Sequence, residues 1–213
     1  MISGLHHLVH CRAGTPNSCY FEILCQVTDP DFNARFDTIT VYIESLYIGN
    51  LEFNPARGSF YLSRSDRDFT SNDIMAFRGD TVWVTAIDDS SAITTTYFVF
   101  TKPMEDYPGI RYPRDIDTIY TLHPTLQWFH YGGQNSIHTF NISVVYKQLF
   151  AAWDTVGLPA TDTSVVVTTE LINTAEIASA FYGWYLTVVD EDGNSMTSEP
   201  GIFKCFDLSF KNE

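Results

Sequence analysis

Residues 181–203 read FYGWYLTVVDEDGNSMTSEPGIF, a run in which large apolar side chains fall at every second position until an acidic turn stops it. Period-2 alternation sends successive side chains to opposite faces of an extended chain, so Tyr182, Trp184, Leu186 and Val188 share one face. A helix would scatter those four around its girth. A strand with one buried face is the only regular structure that uses them together, and Gly193 with Asn194 supplies the turn that ends it. Residues 80–100, DTVWVTAIDDSSAITTTYFVF, repeat the plan, with Asp88 standing where Asp190 stands. Val82, Val84 and Ala86 then take the inward positions, and the two halves read as the same kind of domain.

The same alternation recurs along the chain. Phe21, Ile23, Cys25 and Val27 lead through the turn DPDF to Ile39, Val41 and Ile43, and Leu126 with Trp128 precedes Phe140, Ile142, Val144 and Tyr146. Turn residues separate runs of this kind every 8 to 12 positions, the pattern of a β-sandwich of about seven short strands. With 213 residues, 45% of them hydrophobic and only 18% charged, the chain can bury two such cores. TKPMEDYPGIRYPRDID lies between the halves, and its three prolines fix φ and withhold donors from any sheet ladder. The expected fold class is therefore all-β, two tandem sandwiches. Residues 1–17 form an N-terminal segment of the kind that is often disordered, 18–107 the first domain and 108–213 the second.

Charge narrows the partners. The net charge is −14, with only 12 Lys and Arg, whereas a nucleic-acid binder needs a basic surface to displace counterions. No apolar stretch approaches the ~20 residues of a membrane span, and MISGLHHLVHC shows neither a basic n-region nor a clean apolar h-region. LVHC at Cys11 invites a lipoprotein reading, but His10 occupies the place where a small residue is required.

HPTLQW, SIHTFNISVVYK and FYGWYLTVVDEDGNSMTSEPGIF together resemble the fibronectin type III-like modules of bacterial extracellular proteins, over residues 108–210. VTDPDFNARFDTITVYI and VTAIDD in the first half resemble, more loosely, the bacterial immunoglobulin-like domains that precede such modules. The stretch QLFAAWDTVGLPATDTSVVV departs from that pattern by its length. The resemblance implies a non-catalytic structural, spacer or adhesive module of a secreted or cell-surface protein, with a protein or glycan as partner.

Candidate sites follow from the turns and the outward faces. Asp29 and Asp31 in one turn and Asp88 and Asp89 in another sit at one pole of an immunoglobulin-like sandwich, where their carboxylates suit calcium, a cation that takes six to eight oxygens. Asp190 and Asp192 raise the same question in the second domain, against the plain reading that Asp starts turns and stays solvated. No cofactor other than calcium is suggested. His6, His7, His10, Cys11 and Cys19 bring together zinc-type ligands, but HHLVHC has no closed-site spacing. Four cysteines allow three pairings, of which Cys11 with Cys19 is the expected disulfide. No nucleophile motif or phosphate loop is present, and catalysis is not expected. The alternative function is carbohydrate binding through Trp83, Tyr42 and Tyr185, which fall on the outward phases of their strands and present faces on which sugar rings stack.

Overall fold

The computed structural model describes the chain except residues 15–17, 29–35, 70–73, 102–103, 105, 133–136, 175–179 and 208–213. It divides into two compact units, Met1–His10 with Ser18–Pro103 and Cys11–Asn17 with Met104–Glu213, against a sequence-based boundary near Pro108. Both are β-sandwiches. No helix among the described residues is long and apolar enough to cross a membrane.

In the first unit one sheet holds β1 (Ile2–Arg12, whose residues up to His10 belong to this unit), β2 (Ser18–Val27), β5 (Glu52–Asn54) and β6 (Ser59–Ser65) in the order β1-β2-β6-β5. The other holds β3 (Phe36–Ile43), β4 (Leu46–Asn50), β7 (Thr81–Asp88) and β8 (Ile93–Val99) in the order β4-β3-β7-β8. Phe21, Ile23 and Cys25 from the first sheet and Ile39, Val41, Ile43, Val82, Val84 and Ala86 from the second are all buried, as the alternation requires. Each side chain removed from water in this way stabilises the fold by ~1.5–3 kcal/mol for the larger residues. The N-terminal segment corrects the sequence reading. Residues 2–12 are a strand, because Val9 and Cys11 alternate into the interior and His7 stacks on Phe98 with ring centroids 4.3 Å apart.

The second unit repeats the plan. β9 (Ile110–Tyr112), β11 (Thr125–Trp128) and β14 (Ser164–Val166) form one sheet in the order β14-β11-β9. β10 (Asp117–Ile119), β12 (His138–Tyr146), β13 (Phe150–Pro159), β15 (Tyr182–Asp190), β16 (Ser195–Thr197) and β17 (Gly201–Cys205) build the other. There β15 lies between β12 and the pair β16 and β17, β13 flanks β12, and β10 runs parallel to β17. The long stretch around Trp153 thus becomes β13, whose pairing shifts register between Phe140 and Ile142. Gly157 sits at φ 71° in this bulge and donates its N–H to Asn141 Oδ1 at 2.9 Å.

Trp128 and Trp184 are the largest buried side chains of this core. The indole of Trp128 meets Phe140 edge-on at 5.4 Å, which ties the two sheets together. Trp184 Nε1 donates to the carbonyl of Pro113 at 2.7 Å, and Tyr182 Oη accepts from Ile172 N–H at 2.8 Å. The phenol therefore holds the chain that leads into β15, a device common at this corner of sandwich folds.

Of the four cysteines, Cys25 and Cys205 are free and buried while Cys11 and Cys19 are disulfide-bonded, which leaves the expected Cys11–Cys19 pair. Burial pushes Cys25 up to about 11, and Cys205 and Tyr182 up to about 12. These acids stay neutral in the folded chain after they have ionised in the unfolded one. Their stabilising share is complete below about pH 9 for the thiols and about pH 10 for the phenol, and is lost as pH rises to about 11 for Cys25 and about 12 for Cys205 and Tyr182, at up to about 1.4 kcal/mol per pH unit for each group within its own window. The urea midpoint is accordingly expected to fall between pH 8.5 and pH 11, with a shallower fall in Cys205→Ala. Equal slopes for the two proteins would show that the thiol titrates alike in both states.

Candidate functional site

The acidic turns come first. At the corner between β7 and β8, Asp88 N–H donates to Ala92 O and Ser91 N–H to Asp88 O, and Ser91 has φ 67°. At the corner between β15 and β16, Asp190 N–H donates to Asn194 O and Gly193 N–H to Asp190 O, and Gly193 has φ 94°. The two are the same three-residue hairpin, closed by one residue in the left-handed region. A Gly there costs nothing sterically, whereas Ser91 is held against its preference.

The carboxylates complete the turns. Asp88 Oδ1 accepts from Ser90 N–H at 2.9 Å, Ser90 Oγ–H at 2.7 Å and Ala92 N–H at 2.8 Å. The Ser90 hydroxyl first, and the Ala92 N–H after it, hold the Asp88 carboxyl below its ordinary range. Asp190 Oδ1 accepts from Asp192 N–H at 3.1 Å and Asn194 N–H at 2.8 Å, while Oδ2 accepts from the Asn194 amide at 2.9 Å. Asp190 is only 8% exposed and Asn194 5%, so this carboxylate is a structural element of the corner. Asp89 and Asp192 are exposed on the same turns. Asp29 and Asp31 lie outside the described residues. Among the described residues no group of three or more His, Cys, Asp or Glu is placed to hold a metal ion. The N-terminal histidines are engaged elsewhere: besides His7 on Phe98, His10 stacks on Tyr20 at 4.8 Å.

The outward aromatics are arranged differently from what their separate positions suggest. On the outer face of the first unit, Tyr47 pairs across the ladder with Tyr42, Tyr42 with Trp83, and Trp83 with Tyr97. One unbroken aromatic row therefore crosses all four strands. The Tyr42–Tyr47 centroids are 5.5 Å apart and the Trp83–Tyr97 centroids 5.1 Å. Tyr47 is 52% exposed, Trp83 38% and Tyr97 61%, so the row faces solvent. Thr40, Thr85 and Thr95 form the neighbouring row, with Thr85 and Thr95 hydroxyls 3.1 Å apart. Tyr47 and Tyr97 were not singled out from the sequence, although the outward phase of β8 marks Tyr97. Tyr185 belongs to the second unit and lies half-buried under Arg12, whose guanidinium carbon is 4.5 Å from the ring centroid.

No family model matches the chain, and no curated protein matches it in sequence. Among solved structures it is similar to the fibronectin(III)-like modules of Clostridium thermocellum CbhA, at 9% identity and a TM-score of 0.40 over 97% of this chain and 94% of that one. It is also similar to the FN1–FN3 domains of chicken CNTN1, at 10% identity and a TM-score of 0.45 over 93% of this chain and 66% of that one. Domains A168–A170 of titin match at 16% identity and a TM-score of 0.30 over 93% of this chain and 62% of that one. These likenesses concern architecture and say nothing of what the chain binds.

Proposed function

We propose that this chain is a non-catalytic structural or adhesive module of a secreted or cell-surface protein. The observation that carries the reading is the use made of its acidic side chains. Asp88 and Asp190, the best candidates for chemistry in the sequence, each close a hairpin corner with three hydrogen bonds. A carboxylate engaged in this way holds two strands in register and is a poor base or nucleophile. The setting is supported by Cys11 and Cys19, since disulfides persist in oxidising compartments and are rare in the cytosol. Surface labelling of intact source cells with a membrane-impermeant reagent, followed by thiol mapping, tests the proposal. The expected result is labelled protein with Cys11 and Cys19 oxidised. Protein found only inside the cell with both thiols reduced would overturn it.

A second reading, carbohydrate binding, is favoured by the aromatic row. Ring faces along one line suit a neutral glycan chain, each stacked ring contributing on the order of 0.5–1.5 kcal/mol. On this reading Trp83→Ala and Tyr97→Ala each weaken saturable binding on a glycan array about tenfold and leave the fold intact. An array that stays silent with the wild-type chain leaves the row as cross-strand packing, in which such pairs stabilise a sheet by ~0.2–1 kcal/mol each.

A further inference from the structure

We infer that the second unit carries a binding groove for an acidic glycan, at residues away from the acidic turns and independent of the aromatic row. The groove holds about 200 Å3 and runs between the β12–β13 turn, at Lys147 and Gln148, the start of β15, at Phe181 and Tyr185, and the chain entering β17, at Pro200 and Ile202. None of its described lining residues is acidic.

The cations are the first observation. In a chain with 26 acidic and 12 basic residues, three basic side chains of this unit each lie over an aromatic ring in or beside the groove. Arg12 lies over Tyr185 at 4.5 Å, Lys204 over Phe181 at 4.7 Å and Lys147 over Tyr146 at 5.3 Å. A ring face fixes the direction of a long flexible cation, so the three charges are positioned before any ligand arrives. In a chain of net charge −14 an anion is drawn to this cluster of positive charge, which sets the orientation of approach.

The turn is the second, independent observation. Leu149 N–H donates to Tyr146 O across a two-residue turn in which Lys147 has φ 50° and Gln148 φ 60°. Two left-handed residues in succession make the turn that Asn-Gly satisfies without strain. The chain instead places Lys-Gln there, side chains that disfavour the conformation and that both reach the groove. Local backbone strain retained at the rim of a concave site is the pattern expected where function opposes stability.

Size and chemistry select the ligand. The volume admits about one sugar ring, the aromatic walls offer CH-to-ring contact, Gln148 and the Tyr185 hydroxyl offer hydrogen bonds, and Arg12 and Lys147 suit a carboxylate or sulfate. An extended peptide is captured on sandwiches by pairing with an open strand edge, whereas this groove lies on a sheet face between a turn and β15. A uronic-acid residue of a polysaccharide fits all of these features.

The test uses the full chain and calorimetric titration with oligogalacturonate, with neutral oligogalactan of equal length and with poly-glutamate. Saturable binding is expected for oligogalacturonate alone, weakened at least tenfold by Lys147→Glu and by raising the salt concentration. The double change Lys147→Asn with Gln148→Gly is expected to raise the melting temperature and to lower affinity at least tenfold. Because that variant is the more stable one, loss of binding cannot be assigned to unfolding. Absence of oligogalacturonate binding by the wild-type chain, equal binding of poly-glutamate, or full affinity in the Asn-Gly variant would each overturn the assignment. None of these outcomes bears on the cell-surface reading, whose test is location and thiol state.

Discussion

Replacing Trp184 with alanine is expected to destabilise the second unit by ~3–5 kcal/mol, as large aromatic-to-alanine changes in closed cores do. The indole is fully enclosed, and its N–H satisfies the Pro113 carbonyl at 2.7 Å. Alanine therefore leaves both a cavity and a carbonyl without its donor, and the second loss alone costs ~1–3 kcal/mol. Trp184→Phe separates the two effects, since it fills most of the volume and lacks the donor. Gly201→Ala probes the same place from outside. A Cβ on Gly201 would run into Trp184 Nε1 and the Pro113 oxygen, one of them backbone, so the strand β17 must move to admit a single methyl group. Urea titration of the full chain, followed by circular dichroism and by tryptophan fluorescence, measures each change. A cost below ~1 kcal/mol for Trp184→Ala or for Gly201→Ala would show that the indole is not held between β17 and Pro113.

Asp190→Ala is expected to cost ~2–4 kcal/mol, while Asp192→Ala stays within ~0.5 kcal/mol. The difference lies in what each carboxylate does. Asp190 satisfies the N–H groups of Asp192 and Asn194 and the buried Asn194 amide, and alanine abandons all three. Asp192 is exposed. Asp88→Ala should cost less than Asp190→Ala, because its corner is open to water. The depressed pKa of Asp88 gives a sign as well: its stabilising share is present above its unfolded pKa and is lost as pH falls through the lower folded value. The same proteins decide the calcium question by melting with and without EDTA. A ligand that binds only the folded state raises the melting temperature by mass action. Unchanged curves are expected. A rise with calcium that Asp192→Ala abolishes would instead make the corner a cation site.

The inward faces of β2, β3, β7, β12 and β15 follow from alternation because a strand's side-chain period is a local property of its backbone. The two hairpin corners follow for the same reason: Asp, a left-handed residue and a return strand all lie within a few positions. By contrast, the residues alone leave β1 outside the sandwiches, since HHLVHC has no strong apolar period until Val9 and Cys11 find a neighbouring strand. The carboxylates of Asp88 and Asp190 read first as turn supports and second as metal ligands, and the hydrogen-bond partners that the first use requires are not visible in the sequence.

What the sequence determined by itself, then, is the strand content apart from β1 and β13, the buried faces of the strongly alternating strands, the position of the two acidic hairpin turns and the repetition of one plan in two halves. The tertiary structure decided which residues meet. Tyr47, Tyr42, Trp83 and Tyr97 become one row only through the registers of three strand pairings, and a shift of one residue in any of them would turn a ring to the other face. Lys204 reaches Phe181 because β17 pairs with β15, and Arg12 reaches Tyr185 although the two are far apart along the chain. Register and adjacency are set by the packing of the whole core, an interaction that no local window of residues contains.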